Sequence, residues 1–108
     1  MRSARHDVRR IEQESLPWSQ PLAERIRAAL AAASGYESEA VQRLERAAAG
    51  FDSADMRLFA AAARWRRGQL VGGDEGRLLM AQAVDWMEQQ RIRNHQRMTT
   101  LYMPGFAD

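Results

Sequence analysis

A chain of 108 residues, 45% hydrophobic and 28% charged, has the make-up of one small globular domain with a modest core, and a formal net charge of only +2 is weak ground for a polyanion partner. The absence of cysteine excludes disulfides, thiolate metal sites and a thiol nucleophile, and fits a reducing cytoplasm, where the chain is expected to reside. No apolar run approaches the roughly 20 residues that span a bilayer, and "MRSARHDVRR" is not followed by the apolar core of a secretory leader, so no membrane association is expected.

Good helix formers dominate, and no stretch alternates apolar and polar residues long enough to make a strand. A first helix is predicted from about Ser3 to Ser15, with Val8 and Ile11 as a thin apolar stripe and Pro17 as its stop. A second starts at Ser19 as N-cap, tolerates Pro21 in its first turn, and closes at Gly35; Leu22, Ile26, Leu30 and Ala33 fall on one face. A third spans about Glu37 to Ala49, buries Ala40, Val41, Leu44, Ala47 and Ala48, and stops at Gly50. Asp52 or Ser53 is expected to cap a fourth, from about Ala54 to Val71, which Gly72 and Gly73 end. Asp74 is expected to cap a fifth, running to about Arg91 with an apolar face broad enough to pack on two neighbours. Asn94 is expected to cap a short last helix, His95 to Tyr102, halted by Pro104-Gly105.

Short connectors make successive helices antiparallel neighbours, so the second to fifth helices form two stacked hairpins. The fold class expected is all-α, with five to six helices in tetratricopeptide-like antiparallel hairpins. One domain covers residues 1–108: an N-terminal helix at 1–16, hairpins at 19–50 and 53–91, and a capping helix and tail at 94–108. Leu22 and Met56 lie 34 residues apart, the length of a tetratricopeptide-type repeat.

The segment "GYESEAVQRLERAAAGFDSAD" resembles the second half of a tetratricopeptide repeat, with Gly35-Tyr36 at its inter-helix turn and Ala40, Leu44 and Ala47 at its packing positions. Residues 47–106 are similar to the C-terminal helical-repeat segment of large bacterial serine/threonine protein kinases and related multidomain ATPases. Those segments end in a GI-x-NP-x-RM-like stretch followed by PGF; this chain has Arg91-Ile92-Arg93-Asn94-His95-Gln96-Arg97-Met98 and then Pro104-Gly105-Phe106. Arg91 stands where glycine is common and His95 where proline is. The resemblance implies an interaction scaffold, the terminal module of a bacterial signalling protein, and carries no kinase residue.

The letters GGDE at Gly72-Gly73-Asp74-Glu75 resemble the signature of diguanylate cyclases, but a helical period follows them and Gly76 replaces the signature Phe, so they are read as a helix stop and an Asp cap. Without Lys or a predicted strand, no phosphate-binding loop is expected. His6 and His95 lack a second ligand at metal spacing, and the carboxylate pairs read as helix N-terminal charges or ion-pair partners. No catalytic residue, metal site or cofactor is therefore expected, and the protein is not read as an enzyme.

All sixteen basic residues are arginine. Glu24–Arg27, Glu39–Arg43, Asp74–Arg77 and Glu88–Arg91 sit at helical pair spacing, whereas Arg57, Arg64, Arg66, Arg67, Arg93 and Arg97 have no such partner. Arg57, Arg64 and Arg67 share a face of the fourth helix. With Arg25 and Ala29 of the second helix they are the expected partner-binding residues, lining a groove made by the first helix of each hairpin. The expected partner is a protein or peptide, acidic if the arginines engage it. The rival is a small nucleic-acid-binding regulator using Arg2, Arg5, Arg9 and the same stripe. Met98, Leu101, Tyr102, Met103 and Phe106 form an apolar tail that either caps the helical stack or serves homo-oligomer formation.

Overall fold

The computed structural model describes residues 16–106. Five helices run through them: α1 (Ser19–Ala33), α2 (Glu37–Ser53), α3 (Arg57–Val71), α4 (Gly73–Gln89) and α5 (His95–Tyr102). The described residues contain no strand, and the architecture is all-α. The predicted helix at Ser3 to Ser15, with Arg2, Arg5 and Arg9, lies outside the described residues.

Each of α1, α2 and α3 packs on the helix that follows it as an antiparallel hairpin, and α5 folds back onto α3. The sequence places α3 at the centre through one feature. Ala60, Ala61, Ala62 and Ala63 are all buried, and four consecutive residues of a helix point around nearly its whole circumference. A helix covered on every side needs small side chains, because each neighbour must approach within helix-packing distance. Ala60, Ala62 and Ala63 share one core with Ala28, Leu44, Ala47, Ala48, Phe51 and Met103. The rings of Phe51 and Phe59 sit 5.1 Å apart, and Tyr102 meets Phe59 edge-on at 4.6 Å, so α2, α3 and the end of α5 share one aromatic seam.

Three helices end in the same way. After α1, the Tyr36 N–H donates to the Ala31 carbonyl at 2.8 Å across Gly35, which has φ +83°. After α2, the Met56 N–H donates to the Phe51 carbonyl at 2.7 Å across Asp55, with φ +59°. After α4, the Ile92 N–H donates to the Met87 carbonyl at 2.9 Å across Arg91, with φ +62°. Each is a Schellman closure, with one left-handed residue followed by an apolar one.

Several local expectations are corrected. Gly50 does not stop a helix; α2 passes through it to Ser53. Its role is close approach, since a Cβ there would lie 2.9 Å from the Pro21 Cβ of α1. The true break is at Asp55, so the hairpins span Ser19–Ser53 and Arg57–Gln89 rather than 19–50 and 53–91. Ser19 lies inside α1 behind Trp18, and its Oγ accepts from the Leu16 N–H at 3.1 Å. Asp52 and Ser53 belong to the last turn of α2, and α3 begins after Met56. Asp74 is not an N-cap: Gly72 closes α3 and opens α4 at once, leaving Asp74 in the first turn of α4. Asn94 does cap α5, its Oδ1 accepting the Arg97 N–H at 3.0 Å. The buried side of α1 is the small-residue side, Ala23, Ala28 and Ala31, whereas Leu22, Ile26 and Leu30 are half-buried and Ala33 is exposed. Close contact with α2 selects the alanines and leaves the larger side chains at the flank. The face of α4 is also narrower than expected, with Gly76, Ala83 and Met87 buried against a single main neighbour, α3.

Candidate protein-interaction groove

The first helices of the two hairpins, α1 and α3, flank a groove, and the chain's own residues Tyr102 to Phe106 lie in it. Contacts advance in step along both walls. Tyr102 meets Phe59 of α3 and accepts, through its carbonyl, a hydrogen bond from Arg25 Nη1 of α1 at 3.1 Å. The Met103 carbonyl accepts from Arg66 Nε of α3 at 3.1 Å. Further along, Gly105 abuts Ala29, and Phe106 lies beside Ala32, Ala33, Gln69 and Leu70. The segment therefore runs in the same direction as α1 and α3.

Arg66 is the pivot of this arrangement. It is 1% exposed, the largest fully buried side chain among the described residues. Its Nη1 donates to Gln69 Oε1 at 2.9 Å, its Nη2 to Thr100 Oγ1 at 3.4 Å, and its guanidinium carbon lies 5.7 Å from the centre of the Phe106 ring. The planar fork reaches α5, the tail backbone and an aromatic face together, which a lysine ammonium could not do. Arg25 is less enclosed, and burial lowers the pKa of its guanidinium below the ordinary arginine value. Two arginines from two different hairpins thus hold two consecutive main-chain carbonyls. Between them Met103 is completely buried, inserted into the shared core.

The expected site residues divide between two places. Arg25 and Ala29 do line the α1–α3 groove. Arg57 and Arg64 line a separate depression with Asp52, Ala61, Gln82, Ala83 and Trp86, bounded by α2, α3 and α4. Arg64 Nη2 lies 2.5 Å from Asp52 Oδ2, Arg57 Nε is 3.6 Å from Asp55 Oδ1, and Arg67 Nη2 is 3.7 Å from Glu45 Oε2. These three arginines, which lack partners within their own helix, find carboxylates on α2 and on the turn after it. Arg43 bridges likewise, to Glu39 at 3.4 Å on its own helix and to Glu24 of α1 at 3.2 Å.

Arg66 is the groove residue that sequence reasoning left out of the site. A signal for it was present. Phe59, Ala62, Ala63, Arg66 and Leu70 recur at steps of three and four, so Arg66 stands on the apolar side of α3, opposite in role to its neighbour Arg67. An arginine on such a stripe is held by something that covers it.

The other candidates have simple placements. His95 lies 3.8 Å from Glu88 Oε1 and opens α5. The GGDE letters sit at a helix–helix turn and the start of α4. Among the described residues no group of three or more His, Cys, Asp or Glu side chains is placed to hold a metal ion, and no helix is long and apolar enough to cross a membrane. In comparisons with known proteins, no family model matches the chain, nor does any curated protein or solved structure.

Proposed function

We propose that this chain is a protein-recognition scaffold of the helical-repeat kind, acting without catalysis, whose working surface is the groove between α1 and α3. One observation carries the reading: the end of α5 and the bent segment after it already lie there, with the carbonyls of Tyr102 and Met103 gripped by Arg25 and Arg66. Main-chain carbonyls are common to every peptide, so a groove that grips them accepts a segment of another protein by the same chemistry. Alanines along α1 keep the groove floor low, and apolar walls at Ile26, Leu30 and Leu70 supply side-chain burial.

The repeat organisation and a place at the end of a larger bacterial signalling protein, within the cytoplasm, belong to the same proposal and rest on the resemblance of residues 35–55 and 47–106. A protein partner is favoured over nucleic acid because the arginine stripe of α3 is neutralised locally by Asp52, Asp55 and Glu45. The test is selection of binders from a random peptide library on the purified full chain, followed by amide chemical-shift mapping. Shifts centred on Arg25, Ala29 and Arg66 are the expected result. Binders that map elsewhere, or tight duplex-DNA binding that collapses with salt, would overturn it.

A further inference from the structure

We infer that the α1–α3 groove recognises a segment with the chemistry of this chain's own residues 103–106, an aliphatic residue, Pro-Gly and an aromatic, and that the tail is the built-in competitor of that partner. The inference rests on the recognition reading of the groove given above.

Each position of the tail has a counterpart that reads it. Met103 fills a completely buried slot beside Ala28, Phe51 and Ala62. Gly105, at φ +90°, turns the chain where Ala29 closes the groove; a Cβ there would lie 3.1 Å from the Ala29 Cβ. Phe106 presents its ring to the Arg66 guanidinium. Pro104 between them has no N–H to leave unpaired and fixes its own backbone, which lowers the ordering cost of a ligand. These are sequence-selective contacts added to the carbonyl grip.

The tail does not fill the groove. Depressions of about 290 Å³, lined by Arg25, Ile26, Ala29, Leu30 and Ala33, and about 360 Å³, lined by Ala32, Glu37, Arg66, Gln69 and Leu70, remain open beside Pro104, Gly105 and Phe106. An incoming segment with bulkier side chains would gain burial that the tail forgoes. It would do so against a tethered rival, whose effective concentration is high because it is part of the same chain. The apparent affinity for an outside segment is then reduced by the fraction of molecules in which the tail is out.

The experiment uses the full chain and a fluorescent peptide of sequence TTLYMPGF, matching residues 99–106, followed by anisotropy. Phe106→Ala loosens the tail and leaves every α1 and α3 wall residue in place, so it should bind the peptide at least about tenfold more tightly than the unaltered chain, the ratio expected when the tail occupies the groove about nine-tenths of the time or more. The same peptide with its Phe replaced by Ala should lose most of that affinity. Equal affinity of the two proteins would overturn the competition while leaving the groove a peptide site. Indifference to the peptide's Phe would overturn the assigned partner chemistry. Absence of binding to either protein at millimolar peptide would overturn both the inference and the recognition reading. Hydrogen exchange serves as the control: amides of α1 to α4 should stay protected in Phe106→Ala while those of residues 102–106 lose protection. If α1 to α4 are also lost, Phe106→Leu carries the same expectation with a smaller ratio, and equal affinity there is equally fatal.

Discussion

Gly68 of α3 and Gly76 of α4 meet backbone to backbone, with a Cβ added to Gly68 lying 2.7 Å from the Gly76 carbonyl oxygen and 2.6 Å from Met80 Cγ. This contact lets the two helices leave the Gly72-Gly73 turn side by side. It also accounts for the glycine that follows the GGDE letters, which a helix stop and a cap alone leave unexplained.

Gly76→Ala should therefore destabilise the fold, by roughly 1–3 kcal/mol from overpacking or more where backbone must move. In an uncrowded helix the same change would stabilise by about 1 kcal/mol. The sign of the shift in a urea or thermal unfolding midpoint thus decides the matter, and a more stable Gly76→Ala would refute the close crossing.

Arg91 and Asp55 occupy left-handed backbone at the closures of α4 and α2. A residue with a Cβ is strained there by about 1–2 kcal/mol, and glycine is not, although glycine loses more freedom on folding. Arg91→Gly should give a net gain of about 1 kcal/mol, read as a raised unfolding midpoint; Asp55→Gly should gain less, because Asp tolerates this region better. Gly35→Ala, at the matching position after α1, should move the midpoint the other way.

Arg66→Ala removes the donor to the Met103 carbonyl and the contact with Phe106 in one step. A loss of about 2–4 kcal/mol is expected for a buried, hydrogen-bonded charge removed with its packing. Arg66→Lys should recover little of it, since an ammonium cannot span Thr100, Gln69 and Met103 together. Hydrogen exchange at Met103 should rise in both variants, and full rescue by lysine would count against the fork geometry.

Asp74 and Asn94 separate two kinds of helix-start residue. Asp74 stands in the first turn of α4 and pairs with Arg77 on an exposed surface, so Asp74→Ala should cost only a few tenths of a kcal/mol. Asn94 holds the Arg97 N–H, and Asn94→Ala should cost about 1 kcal/mol, felt mainly by α5 and the tail. Chemical denaturation of both variants measures the contrast.

The class of fold was legible in the residues themselves. Helix formers, a lack of two-residue alternation and glycines near positions 35 and 72 fix four long helices and a short one in antiparallel order, because these are properties of the local chain. The Asn94 cap and the Gly35 closure are local too, and both are where the sequence puts them. The role of Gly50 is not legible locally: glycine serves a helix end and a close helix crossing equally well, and only the presence of Pro21 on the opposite helix distinguishes them. The stop at Asp55 is equally hidden, because a non-glycine residue in left-handed backbone leaves little trace in sequence.

The groove divides in the same way. That α1 and α3 flank a common space follows from hairpin order, and Arg25 and Ala29 of α1 lie beside Pro104 and Gly105 there. Which arginines turn towards the groove and which towards α2 depends on the rotation of α3 about its axis, set by its four buried alanines and their neighbours. Arg66 therefore enters the groove while Arg64 and Arg67 meet Asp52 and Glu45. The sequence by itself determined the helices, their order and the apolar character of the tail. Only the tertiary structure decided where that tail lies, because its place depends on contacts with residues as far away as Arg25, 77 positions earlier in the chain.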